Sequence, residues 1–184
     1  MFLGEEIPVT GWFSLHFTEN PGMAFGMVLP GVWGKLFLSA FRLVAVGGGI
    51  WFIRHLLKQK AHWGFITASS MILAGAIGNM IDGSFYGLIF SDSYAGFAKV
   101  FPKQGYAGFL QGLVVDMIHV KLFNFSFMGR SYEFFPFIFN VADSAITLGV
   151  IVILLFQKHF FKEEIKAPAE ELSVPPATTT APDN

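Results

Sequence analysis

Three long apolar stretches dominate the pattern of hydrophobic and polar positions along the chain. They run from residue 36 to about 56, from 63 to about 82 and from 134 to about 156. Each is long enough to cross a bilayer as a helix, which takes about 20 residues. Three such runs in one chain are typical of membrane proteins. The pattern therefore predicts a mainly α-helical membrane protein with three transmembrane helices.

Two outer segments lack this apolar continuity. Residues 12–18 have strand character from aromatic and β-branched side chains, and Asn-Pro-Gly at 20–22 predicts a turn. Residues 83–133 are rich in Gly, Phe and Tyr and include the apolar run 113–118, which we expect to lie on the membrane surface. We therefore expect a small β-rich or irregular platform outside the membrane.

Composition agrees with a membrane location and narrows the chemistry. Of 184 residues, 53% are hydrophobic and 14% charged, against about a quarter charged in soluble domains. The net charge of −1 provides no basic surface for nucleic acid. The chain has no cysteine, which excludes disulfides, thiolate metal sites and a Cys nucleophile. The five His lie without ligand spacing, so we expect no metal and no cofactor.

Cations define the predicted orientation. Cytoplasmic loops carry an excess of Lys and Arg, and such residues flank the inner ends of the apolar runs at Arg54, Lys58, Lys60, Lys158, Lys162 and Lys166. Residues 1–35 and 83–133 then lie outside. Because residues 1–30 contain no apolar export signal, we expect a further transmembrane helix to precede this chain; unaided translocation of a short tail is the alternative.

The end of the chain differs from the membrane domain. Residues 167–184 lack apolar residues that could form a core, so we expect a disordered cytoplasmic tail after a membrane domain of residues 1–166.

Asp143 is the most informative polar residue of the third run. It lies about nine residues in, which is roughly 13 Å along a helix axis. An Asp near the middle of a bilayer costs about 2.5–3.5 kcal/mol and usually has a function. Asn140 and Thr147 share its predicted helical face. The alternative is a structural role, in which a polar stripe holds helices together by hydrogen bonds.

Two further aspartates are candidates. The second run ends with Asn79 and Asp82 on one face, after small residues (Ala74, Gly75, Gly78) that would let another helix approach closely. Asp82 could equally be a helix-end residue that pairs with a neighbour. Asp116 lies in an apolar run, where partial burial would raise its pKa. The alternatives are that Asp116 is a solvated loop acid and that Asp92 takes its place.

Several chemical classes remain open from these residues. Two carboxyls held close together can share one proton and activate a water against a peptide bond, as in aspartyl proteases. A proton-coupled transporter with Asp143 as its proton relay would predict internal repeats. The sequence has only a weak repetition of an Asn and an Asp three positions apart. A structural membrane subunit would need no outer-loop acid. A Ser–His–Asp hydrolase would use His16 or His119, but no nucleophile-elbow motif is present.

With these residues in view, the chain resembles the lipoprotein signal peptidases, the type II prolipoprotein signal peptidases. Three blocks carry the match, in order and spacing, from about residue 5 to 157. They are Asn20-Pro21-Gly22-Met23-Ala24-Phe25-Gly26, Gly78-Asn79-Met80-Ile81-Asp82, and Val115-Asp116 with Phe139-Asn140-Val141-Ala142-Asp143-Ser144. Each block alone is weak, and the three together are highly specific.

The resemblance implies roles for these residues. It makes Asp116 and Asp143 the catalytic pair, with residues that shape the site or bind substrate at Asn20, Gly22, Ala24, Phe25, Asn79, Asp82, Asn140 and Ala142. It implies an aspartic endopeptidase that cuts diacylglyceryl prolipoproteins just before the lipidated Cys. Cleavage would occur at the outer face of the bacterial cytoplasmic membrane, by a monomer surrounded by lipids and without metal or cofactor.

The chain departs from the family pattern at three places. The family's first transmembrane helix, with its Asp-Gln-x-x-Lys pattern, is absent, and the outer segment between Asp82 and Asp116 is longer than usual. Gly83 also stands where the family usually has Arg. Arg42 lies in the outer half of the first run, and we hypothesise that it supplies the missing cation to Asp82. The alternative is that Arg42 extends to lipid headgroups.

Overall fold

The computed structural model describes residues 1–21, 31–94 and 96–161. Within them the secondary structure elements are β1 (Glu6–Pro8), β2 (Phe13–Asn20), α1 (Gly31–Lys58), α2 (Trp63–Ile89), β3 (Val114–Val120), β4 (Asn124–Phe127), β5 (Arg130–Glu133), β6 (Ile138–Phe139) and α3 (Val141–Phe160). Three predicted site residues, Gly22, Ala24 and Phe25, lie outside the described residues, as does the predicted tail 167–184. The predicted domain boundary at residue 166 therefore stays a prediction.

The three predicted spans are present as helices. Among the described residues, α1, α2 and α3 are each long and apolar enough to cross a membrane. Their surfaces expose large apolar residues such as Trp51 and Leu155, at 66% and 73% of the residue surface. Such surfaces are unfavourable in water and suit a lipid environment. The prediction of a mainly α-helical chain with three potential spans is confirmed.

The predicted end of the second span was wrong. Helix α2 continues past Asp82 to Ile89, so Asp82 lies inside the helix rather than at its end. Residues 105–113 lie across these last turns. Their backbone N–H groups donate to helix carbonyl oxygens, from Gly112 to Gly83 at 2.9 Å and from Ala107 to Gly87 at 3.0 Å. Gly87 and Gly112 permit this backbone approach, because a Cβ at Gly87 would meet the Ala107 backbone and one at Gly112 would meet the carbonyl oxygens of Asp82 and Gly83.

The predicted start of the third span was also wrong. The apolar run from 134 includes strand β6, and helix α3 begins only at Val141. Asn140 is the N-cap: its side chain accepts from the Asp143 backbone N–H, and the Asp143 carboxylate accepts from the Asn140 N–H. This reciprocal capping box satisfies two backbone donors at the helix start. Asp143 therefore lies in the first turn of α3, not about nine residues into a helix.

Helix α2 contacts both other helices, and small residues set its spacing from α3. A Cβ added to Gly75 would collide with the carbonyl oxygen of Ala142, and one at Gly78 would meet the Ala142 side chain at 3.2 Å. A Cβ added to Gly149 of α3 would meet the Ala68 carbonyl oxygen at 2.6 Å. The prediction that Gly75 and Gly78 receive another helix is confirmed.

A four-stranded antiparallel sheet lies at the end of the bundle where α3 begins. Its order is β1-β2-β3-β6, and β4 and β5 form a separate hairpin. The strand predicted at residues 12–18 is present as β2, and the apolar run 113–118 forms β3. Because β6 is followed directly by Asn140 and α3, the sheet and the helix bundle meet at this point.

Candidate active site

Asp116 lies in the middle of β3, and only 2% of its surface is exposed. Its Oδ1 accepts a hydrogen bond from Asn140 Nδ2 at 2.7 Å, and its Oδ2 accepts one from Asn20 Nδ2 at 2.9 Å. Burial raises the pKa of Asp116, and the nearby charge of Asp143 adds to this rise, while the two amide donors oppose it. The net result is a carboxyl that keeps its proton to a higher pH than an ordinary Asp.

Asp143 faces the same site from the first turn of α3. Its Oδ1 accepts from Asn79 Nδ2 at 2.8 Å, and its backbone N–H donates to Asn140 Oδ1 at 2.8 Å. A carboxylate in the first turn of a helix is favoured by the partial positive charge of the helix N-terminus. The cap that starts the helix therefore also orients this carboxyl.

Two asparagines join the carboxyls in one hydrogen-bond network. Asn140 Nδ2 donates both to Asp116 Oδ1 and to Asn79 Oδ1, the latter at 3.0 Å. Asn79 in turn donates to Asp143. An amide side chain both donates and accepts, so each Asn can link two partners. The structure thus brings together Asn20, Asn79, Asp116, Asn140 and Asp143, which come from four separate parts of the sequence.

Asp82 has a different setting beside this network. Its carboxyl group faces the Tyr86 hydroxyl and the Val115 backbone N–H. It thereby connects α2 to β3 one residue before Asp116. The sequence reasoning missed Tyr86, although its position four residues after Asp82 on a helix could have indicated the contact. Ala142, another predicted site residue, lies in the close crossing of α2 and α3.

Arg42 of α1 extends toward the same site. Its Nη1 lies 3.2 Å from the position that a Cβ at Gly83 would take, so the guanidinium lies over the glycine next to Asp82. Its charge interacts with that of Asp143. The hypothesis of a direct partnership with Asp82 stays a prediction, while the position beside Gly83 places the cation near both acids.

A groove between α2 and α3 opens beside the site. It has a volume of about 470 Å³ and is lined mainly by small residues, together with Asp82 and Asn140. The lining residues are Ala74, Gly75, Gly78, Asp82, Asn140, Val141, Ala142 and Ala145. A segment lying in this groove would come directly against the polar network.

Fold and site together define an integral membrane protein whose polar centre is a pair of carboxyls held by asparagines. Comparison with known proteins gives the family. A family model described as signal peptidase (SPase) II matches residues 1–159. The chain belongs to the signal peptidase II family, and it is a protease located in a membrane.

Named relatives and solved structures agree with this family. The lipoprotein signal peptidase of Porphyromonas gingivalis is 43% identical over 164 residues, which cover 84% of this chain and 71% of that protein. The lipoprotein signal peptidase of Streptococcus pneumoniae is 30% identical, covering 89% and 83%. A bacterial membrane enzyme solved in meso at 1.9 Å is 26% identical, with a TM-score of 0.55 over 85% of this chain and 77% of that one. No comparison supports the transporter alternative.

Proposed function

We propose that this protein removes signal peptides from diacylglyceryl-modified prolipoproteins by cutting just before the lipidated Cys. The observation that carries the proposal is the continuous hydrogen-bond network that joins Asp116 to Asp143 through Asn140 and Asn79. The named relatives, which are lipoprotein signal peptidases, support the choice of substrate.

The two carboxyls divide the acid and base roles. Asp116, with its raised pKa, keeps its proton and donates it to the scissile carbonyl oxygen. Asp143, at the helix N-terminus, acts as the base and removes a proton from the attacking water, whose oxygen bonds to the carbonyl carbon. When the C–N bond breaks, Asp143 returns this proton to the leaving amine. Asp116 recovers its own proton from the tetrahedral intermediate, and the pair is restored.

The groove between α2 and α3 provides the route for the substrate. It runs along the crossing of these helices and includes Asn140 and Asp82 among its lining residues, so a signal peptide lying against it would bring its cleavage site to the polar network. The exposed apolar surfaces of the helices would be in contact with lipid. In this proposal Asn20, Asn79 and Asn140 hold the carboxyls, and Asp82 positions β3. The enzyme acts as a monomer in the bacterial cytoplasmic membrane, with its site toward the extracytoplasmic face.

The proposal is tested with Asp116→Asn and Asp143→Asn in a cleavage assay on a diacylglyceryl-modified precursor. Because general acid–base catalysis contributes about 10²–10⁴-fold, each variant should lose at least about a hundredfold in kcat/KM while unfolding at a similar temperature in detergent. Asp92→Asn, which changes an exposed outer acid, is the matched control and should cleave normally. Normal turnover by either dyad variant would refute the assignment.

A further inference from the structure

A second polar cluster lies on the opposite face of the sheet from the carboxyl pair. Side chains alternate between the two faces along a strand, so His119, three residues after Asp116, points away from it. In the strand register β1 pairs Glu6 with His16, and β2 pairs Ser14 with His119. Glu6, His16 and His119 therefore share one face, although they come from three different strands.

Potential ligand atoms converge within this cluster. One atom from each of Glu6, His16 and His119 lies within 4.8 Å of the other two. Glu6 Oε2 lies 3.9 Å from His16 Nδ1, and Glu6 Oε1 lies 3.8 Å from His119 Nδ1. Donor atoms around a tetrahedral Zn²⁺, at bonds of about 2.0–2.1 Å, are separated by about 3.4 Å. Small side-chain rotations would bring these ligand atoms from their present separations to the separation that Zn²⁺ requires.

The imidazoles lack the hydrogen bonds that buried polar atoms normally make. His119 is 7% exposed, and neither of its ring nitrogens is hydrogen-bonded to a residue that the structure describes. His16 Nδ1 is buried and unpartnered in the same way. Such atoms are costly to bury without a partner. A cation between Glu6 and the two rings would bind the Nδ1 atoms of His16 and His119, which both face Glu6.

Glu133 provides the contact that usually supports a metal-binding His. Its Oε1 lies 3.2 Å from His119 Nε2, on the other side of the ring from Glu6. A ligating His commonly presents its second ring N–H to a carboxylate, which sets the tautomer and orientation of the ring. Lys121 competes for the site, since its ammonium contacts Glu6 Oε1. Its side chain is 41% exposed, so it can move into solvent.

We propose that Glu6, His16 and His119 bind Zn²⁺, with Glu133 orienting His119. Two imidazoles and one carboxylate are a donor set that suits Zn²⁺, and a solvent ligand would complete the tetrahedron. The ion would connect β1, β2 and β3 on the face that is turned away from Asp116. The ligands lie on three separate strands, which is why spacing along the sequence predicted no metal.

Equilibrium dialysis of the purified full chain in detergent, with zinc measured by mass spectrometry, tests this site. We expect one Zn²⁺ per chain and no retained Mg²⁺. His16→Ala and His119→Ala should each lose the bound ion, and Glu133→Gln should weaken binding about 10–100-fold, as for other outer partners of metal ligands. His55→Ala, at an exposed position on α1, is the matched control and should bind as the unmodified protein does.

A gain of affinity provides a test that removes no ligand. Lys121→Met deletes the ammonium that competes for Glu6, so Zn²⁺ should bind at least several-fold more tightly and raise the unfolding temperature further. Absence of zinc from the unmodified protein would overturn the proposal. So would His16→Ala and His119→Ala variants that retain as much zinc as the unmodified protein. The cluster would then be a set of polar contacts that holds the three strands together without a metal ion.

Discussion

At the scale of single residues, Asn140 connects the fold to the site. It caps α3, donates to Asp116 and donates to Asn79, which holds Asp143. The sequence predicted Asn140 and Asp143 as neighbours on one helical face, because three residues separate them. The cap itself was missed, and so was the depth of Asp143 in the helix. Both depend on where the helix starts, which hydrophobicity alone does not define.

The pH dependence of cleavage should follow Asp116. Burial raises its pKa, the charge of Asp82 raises it further, and the Asn20 donor lowers it. Activity falls at alkaline pH when Asp116 loses its proton. Asp82→Asn removes a negative charge, so the alkaline limb should move to lower pH. Asn20→Ala removes a donor to the ionised form, so the limb should move to higher pH.

Profiles of kcat/KM against pH for both variants measure this effect. A structural disturbance alone would lower the rate at every pH without moving the limb. Displacement of both variants in the same direction would show that a group other than Asp116 controls the alkaline limb.

At the scale of elements, the apolar run 134–156 illustrates why the sequence predicted the presence of α3 but not the residue at which it starts. A short apolar segment can be a buried strand or the start of a helix, and periodicity does not separate the two. Pro136 and the Asn140–Asp143 cap signal were present in the sequence and indicate the true start. The run 113–118 contains β-branched side chains, but its place in the sheet as β3 depends on pairing with β2, about a hundred residues earlier.

The crossing of α2 and α3 should be intolerant of even a methyl group. In Gly75→Ala the new Cβ collides with the Ala142 carbonyl, one residue before Asp143. We expect a loss of about 1–3 kcal/mol, as for other overpacked contacts, together with reduced cleavage. Gly48→Ala, on α1 with no heavy atom within 4 Å of the new Cβ, should retain both. Thermal unfolding in detergent and the cleavage assay measure the two effects.

Equal behaviour of the two glycine variants would show that α3 adjusts without moving the carboxyl. The packing of α2 against α3 would then matter less for the position of the Asp143 carboxyl than the hydrogen-bond network does.

At the scale of the whole molecule, the sheet separates two polar sites by its two faces. One face carries Asp116 and the other carries the cluster of Glu6, His16 and His119. Sequence reasoning found the first because a carboxyl in an apolar run is conspicuous. It could not find the second, since an alternating strand hides a cluster until the register between strands is known.

The sheet and the carboxyl pair should lie toward the extracytoplasmic side of the cytoplasmic membrane. The loop between α1 and α2, at the opposite end of the helices, follows Arg54 and Lys58, and cations favour the cytoplasmic side. The chain contains no cysteine, so single thiols can be introduced without background. Ser126→Cys in β4 should react with a membrane-impermeant maleimide on intact spheroplasts, whereas Gln59→Cys should react only after lysis. Retained cleavage activity would verify correct insertion of both variants, and the reverse labelling pattern would contradict an extracytoplasmic site.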